Sequence, residues 1–169
     1  MIRSVLAAAL LVGTPTFALA QLKPGKPEAV ADAVADCWAA VGAKGVDKVV
    51  LGQRGWQAGS ISDPQGGRVD TPLQVYGKSG SNVMLMLMSV ADSPACSVVS
   101  RVNAPEDVSL AAQTVQRRLT AADAQVKTAR SGRSVVFLSL PKIAMLDGTG
   151  SRTQPGVRIV VSFQNPEKK

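Results

Sequence analysis

Cys37 and Cys96 are the only cysteines in the chain, and they constrain its folding more than any other feature. In an oxidising compartment an isolated, widely separated pair reads as one structural disulfide. The spacing fits neither a C-x-x-C redox motif nor a zinc site. The chain-entropy treatment credits closure of so long a loop with about 4 kcal/mol. A fold that accepts this bond must bring a segment near residue 37 against one near residue 96. The periodicity below puts the first on a helix and the second on a strand, so the bond pins that helix to the middle of a sheet.

The oxidising compartment is itself an inference from the first twenty residues. Met1-Ile2-Arg3 is a short positive region and Ser4 to Val12 an apolar run. Gly13, Thr14 and Pro15 interrupt that run, and Ala18-Leu19-Ala20 supplies the small residues of a cleavage site. The pattern predicts a signal peptide over 1–20, cut between Ala20 and Gln21, and a periplasmic or secreted product. The apolar run is too short to span a bilayer, and no second long one follows, so no membrane span is expected in the mature chain. Loss of Arg3 with the leader lowers the formal net charge from +7 to +6.

The remaining residues predict a tether over 21–26, a single domain over 27–164 and a polar tail over 165–169. Hydrophobic residues make up 46% and charged residues 18% of the sequence, which excludes a disordered chain. Ala29, Val30, Ala33, Val34, Cys37, Trp38 and Val41 recur at helical spacing, predicting a helix over 27–41. Glu28, Asp32 and Asp36 fall on its other side and read as a solvated face. A short helix is expected over 46–51. Strands are expected over 56–61, 73–76, 83–90 and 96–102, separated by turn residues. A second main helix is expected over 105–122, followed by strands over 125–129, 135–140 and 157–163. Asp147 to Pro155, rich in glycine and threonine, reads as a long loop. No internal repeat is visible. The resulting fold class is α+β: a mostly antiparallel sheet of about six to seven strands with two main helices packed on it, in the order α-β-β-β-β-α-β-β-β.

The catalytic inventory is poor. Histidine is absent, which removes the commonest general base and metal ligand together. Ser139-Leu140-Pro141-Lys142 matches S-x-x-K, but it ends a strand where the serine–lysine enzymes place it at a helix start. No phosphate-binding glycine motif is present. Asp147-Gly148-Thr149-Gly150 lacks the further acidic ligands of a calcium loop. These observations argue against an enzyme and give no cofactor.

Two features point to binding. Val83-Met84-Leu85-Met86-Leu87-Met88 is apolar throughout, with Met84, Met86 and Met88 on one face of a strand. It reads as a central strand buried on both faces; the alternatives are an adaptable apolar groove or thioether ligands for Cu(I). Charge is the second feature. Residues 21–100 hold seven basic and seven acidic side chains, whereas residues 101–169 hold eleven and five. Arg117, Arg118, Lys127, Arg130, Arg133 and Arg158 are candidates for a face that meets an acidic protein or an anionic envelope component. Nucleic acid is not expected, because few aromatics are available for stacking. Trp38 and Trp56 read as core residues.

The layout of signal peptide, cysteine-bearing helix, Gly-Trp opening a strand, second cysteine on a strand, second helix and terminal strands resembles small secreted or periplasmic α+β proteins of proteobacteria. Cys37-Trp38 and Gly55-Trp56 are the residues that carry this resemblance. It implies the compartment and the fold class, and no activity or site residues. The sequence therefore predicts a non-catalytic protein that binds an envelope macromolecule or anionic surface through its basic second half. The alternative is a carrier of a small apolar ligand or Cu(I) on the methionine strand.

Overall fold

The computed structural model describes residues 23–61, 65, 67, 69, 71–88 and 94–164. The leader, the Ala20–Gln21 bond, most of the loop at 62–70 and the tail at 165–169 lie outside the described residues.

Helix α1 (Pro27–Ala40) starts on a proline that suits the first helical turn. It is followed by a two-residue hairpin, β1 (Val41–Gly42) with β2 (Gly45–Val46). Helix α2 (Lys48–Gln53) begins two residues later than the apolar pattern suggests. The Asp47 carboxylate sets that start, accepting from the Val49 and Val50 amides at 2.9 and 3.2 Å. Then come β3 (Trp56–Ala58), β4 (Leu73–Lys78), β5 (Val83–Met88) and β6 (Ala95–Arg101). Helix α3 (Asp107–Ala122) separates them from β7 (Lys127–Ser131), β8 (Ser134–Ser139), β9 (Lys142–Gly150) and β10 (Pro155–Phe163).

The fold is α+β, with one eight-stranded antiparallel sheet in the order β3-β4-β5-β6-β10-β9-β8-β7. The observed order adds three elements to the expected one, and the β1–β2 hairpin, which had no counterpart, is the first. The short helix at 48–53 is present, and an eighth strand replaces the expected loop. β9 lies inside the sheet, paired along its length with β10 and along Lys142–Leu146 with β8. Its Asp147-Gly148 pair carries turn residues, but β10 pairs with both, at Arg158 and Val157, and this outweighs their weak strand propensity. The true turn comes later, at 151–154, where Gly150 has φ +79° and a Cβ would collide with the Gln154 carbonyl.

The strands pair in two meanders, β3–β6 and β7–β10, each preceded by a long helix, and their last strands β6 and β10 join at the centre. A long helix and a four-stranded meander thus occur twice, with the β1–β2 hairpin and α2 inserted only in the first half.

The helices cover one face of this sheet. Cys37 of α1 is bonded to Cys96 of β6, with Cα atoms 5.7 Å apart and both side chains fully buried. β6 is the fourth strand of eight, so the helix is pinned to mid-sheet as expected. Val30 and Val34 of α1, Leu85 of β5, Val98 of β6, and Val157, Ile159 and Val161 of β10 share this core. α3 packs alongside α1 through Ala111, Val115 and Leu119. Trp38 and Trp56 are both buried. Residues 23–26, expected as a tether, are strapped to the sheet: the Gly25 amide donates to the Arg101 carbonyl at 2.9 Å.

The acidic side of α1 is not a uniformly solvated face. Asp36 is 7% exposed. Its carboxylate accepts from Arg54 Nη1 at 2.6 Å and from Trp56 Nε1 at 2.9 Å, and Lys78 Nζ lies 3.6 Å away. This cluster ties α1 to the end of α2 and to strands β3 and β4. Burial of the carboxylate is tolerated because three donors replace its water.

Candidate functional site

The face of the sheet opposite the helices carries the most distinctive surface. Register fixes its composition. Reading across seven strands, the middle row runs Val75, Met86, Ser97, Val160, Met145, Val136, Ala129. It contains no charge. The row on one side passes through Leu73, Met88, Ile143 and Leu138 and ends on Lys127. The row on the other side passes through Met84 and Val99 to Arg158 and Asp147. Residues between these positions point to the helix-covered side, into the core in β5, β6 and β10 and into solvent at Thr128 and Arg130 of the edge strand β7.

The methionine strand is therefore not buried on both faces. Val83, Leu85 and Leu87 are buried, while Met84 and Met86 are half-buried and Met88 is 50% exposed. Met145 of β9, which sequence reasoning assigned to no element, is 40% exposed in the same apolar field. Its partners Val160 and Val136 fall in expected strands, and the register makes them members of this surface. The alternation Ile143, Met145, Asp147 against Ala144, Leu146 was the available signal, masked by the glycines that follow. No group of three acidic or cysteine side chains suited to a metal occurs among the described residues. No helix among them is long and apolar enough to cross a membrane.

The six basic candidates divide between the two layers. Arg117 and Arg118 lie on α3, in the helix layer. Arg118 pairs with Asp32 of α1, and Arg117 donates to the Thr114 hydroxyl at 3.3 Å. Arg158 lies on the open sheet face, 3.7 Å from Asp147, whose carboxylate also accepts from the Ser134 hydroxyl. Lys127 and Arg130 lie on the edge strand β7, exposed along all five residues, and Arg133 sits in the turn that follows. The structure brings Arg130, Arg133 and Arg158 to one end of the sheet. The register adds Arg101, opposite Gly156, and the 151–154 turn adds the exposed Arg152. Glu106 and Asp107, at the start of α3, follow β6 at the same end. Lys127 sits at the other end of β7.

Two further polar clusters combine carboxylates with cations or a hydroxyl. A depression of about 380 Å³ between α1 and α3 is lined by Asp32, Asp36, Arg54, Lys78 and Arg118. Its three cations all pair with its two carboxylates. The S-x-x-K residues lie opposite each other across the β8–β9 hairpin. Both are committed to structure. The Ser139 hydroxyl hydrogen-bonds the Asp123 carboxylate, and that bond, the Gln125 amide and the Lys142 charge together hold Asp123 below the usual carboxylate range. Lys142 Nζ donates to the Trp38 carbonyl at 2.6 Å, near the C-terminal end of α1 where a cation is favoured. Burial lowers the Lys142 pKa, partly offset by Asp123.

Compared with known proteins, the chain matches no family model, no curated protein and no solved structure.

Proposed function

We propose that this is an exported, non-catalytic binding protein of the cell envelope that meets an anionic macromolecule through the basic end of its sheet. The carrying observation is the grouping of Arg101, Arg130, Arg133, Arg152 and Arg158 at that end, with Arg130, Arg133 and Arg152 in exposed turn and edge positions. Residues 101–169 carry the whole net charge of the mature chain, so the field there is positive. The leader-like first twenty residues support export, and the buried disulfide suits an oxidising compartment. The absence of histidine and the structural engagement of Ser139 and Lys142 support the non-catalytic assignment.

The test is binding of the oxidised protein to lipopolysaccharide, to vesicles containing acidic phospholipid, and to polyglutamate as an acidic protein mimic. The wild type should bind at least one of these with strong salt dependence. Arg130→Glu, Arg133→Glu and Arg152→Glu combined should weaken that binding at least about tenfold. Arg117→Glu, in the helix layer, should leave it unchanged. Equal binding by the triple variant sinks the proposal.

A second reading is favoured by the exposure of Met88 and Met145. It is a carrier of a small apolar ligand or Cu(I) that uses Met84, Met86 and Met88. Same-face neighbours on a strand are about 7 Å apart, so one ion reaches at most two of these sulfurs. Cu(I) titration with Met→Leu variants decides it.

A further inference from the structure

The open sheet face adjoins the basic end at Arg158, and its middle row poses its own question. Seven strands at about 4.8 Å spacing and three rows about 7 Å apart give a field of roughly 700 Å². Its exposed large apolar side chains are Met88 and Met145, and Lys127, Arg158 and Asp147 lie in its flanking rows. The middle row is uncharged, and Arg158 and Asp147 of the flanking row neutralise each other.

We infer that this face is covered by the same face of a second copy of the chain, giving a four-layer helix–sheet–sheet–helix dimer. Three observations select this occupant. The first is area. Two such faces in contact remove roughly 1,400 Å², inside the range of about 1,200–2,000 Å² for stable interfaces. The second is charge. A chain of net +7 repels its own copy through most of its surface. The charges of this face are Lys127 on the edge strand and the paired Arg158 and Asp147, so two copies meet over its middle row without opposing like charges. The third is geometry. Twisted antiparallel sheets pack face to face at about 10 Å with interdigitating side chains. Methionine, present here as Met84, Met86, Met88 and Met145, adapts its shape to such a joint. The sheet edge is a poorer route to association, because β7 carries Lys127 and Arg130, and edge charges oppose strand pairing between copies.

The experiment is sedimentation equilibrium of the disulfide-bonded protein from about 1 to about 100 µM, with matched Met86→Asp and Met145→Asp variants. The wild type should sediment as a dimer. Each variant places a charge in the joint and should weaken association about 100-fold while keeping the disulfide and the far-ultraviolet spectrum. A wild type that stays monomeric through this range overturns the inference. So does a dimer that both variants retain, since it would use another surface. Recovery of the face occupied by a small ligand or a foreign protein of different mass also overturns it. A readout independent of variant folding is peroxide oxidation of Met88 and Met145 in the wild type. Their oxidation should slow several-fold as the concentration rises through the dimer midpoint, and a rate independent of concentration counts against the dimer.

Discussion

The two halves of the sheet are built alike and used differently. Each pairs a long helix with a four-stranded meander, the first with the β1–β2 hairpin and α2 between them. In the first half, α1 buries Val30, Ala31, Ala33, Val34, Asp36, Cys37, Trp38 and Ala40 and is bonded covalently to β6. In the second, α3 buries only Ala111, Thr114, Val115 and Leu119, and β7 is exposed along its whole length. The first half balances its charges; the second carries the surplus of cations. The same topology therefore gives one half that organises the core and one that presents charge to solvent. A helix pinned across mid-sheet has little surface left to display, whereas a helix resting on its flank keeps most of its side chains in water.

Breaking the covalent tie should show this asymmetry most strongly. Cys37→Ala with Cys96→Ala removes a link between residues 59 apart in sequence. Denaturant unfolding should show a loss of about 2–5 kcal/mol. Hydrogen exchange should rise first in α1 and β6, with β7 already open in the wild type. Early exchange in α3 with α1 still protected would reverse the assigned roles.

A smaller effect sharpens the same contrast through two aspartates on one helix. Asp36→Ala strips the buried Trp56 Nε1 of its acceptor and separates Arg54 and Lys78 from their partner, so a loss of about 2–3 kcal/mol is expected. Asp32→Ala removes only the exposed pair with Arg118, expected to matter by less than about 1 kcal/mol. Thermal unfolding of the two variants side by side checks the ranking, and equal shifts would remove the distinction between a buried tie and a surface pair.

The smallest effect is a pH dependence in the second half. Asp123 has a folded pKa below its ordinary value of 3.8, chiefly through the Ser139 hydrogen bond. A depressed carboxylate stabilises the fold above its unfolded pKa, and that contribution is lost as pH falls through the folded pKa. Ser139→Ala should therefore lower the melting temperature slightly at neutral pH, and the difference from wild type should shrink below about pH 4. A difference independent of pH would assign the effect to packing instead. Lys142 has the opposite consequence. Burial lowers its folded pKa, so deprotonation relieves a penalty as pH rises towards the ordinary value of 10.5.

Local pattern made much of this legible. The period of Val30, Val34, Cys37 and Trp38 marked α1, and turn residues bounded most strands to within a few positions. The cysteine pair placed α1 over the sheet centre. Three things were not legible. β9 was hidden because Asp147, Gly148 and Gly150 look like a loop until β10 pairs with them, continuing a strand that β8 also borders along Lys142–Leu146. Asp36 looked solvated because its donors, Arg54, Trp56 and Lys78, come from elsewhere in the chain. The methionine strand looked doubly buried because an unbroken apolar run does not reveal which of its faces lacks a cover.

Order along the chain is enough for the α+β class, the helix that carries Cys37, the pairing of the two cysteines and the concentration of positive charge after residue 100. These depend on local periodicity, on a count and on order along the chain, none of which requires knowing what lies nearby. The tertiary structure alone decided that β6 and β10 meet at the centre, that the basic candidates divide between two layers, and that Met86 and Met145 share one open surface. Those are statements about which distant segments become neighbours. They are settled by burial and backbone pairing summed over the whole chain.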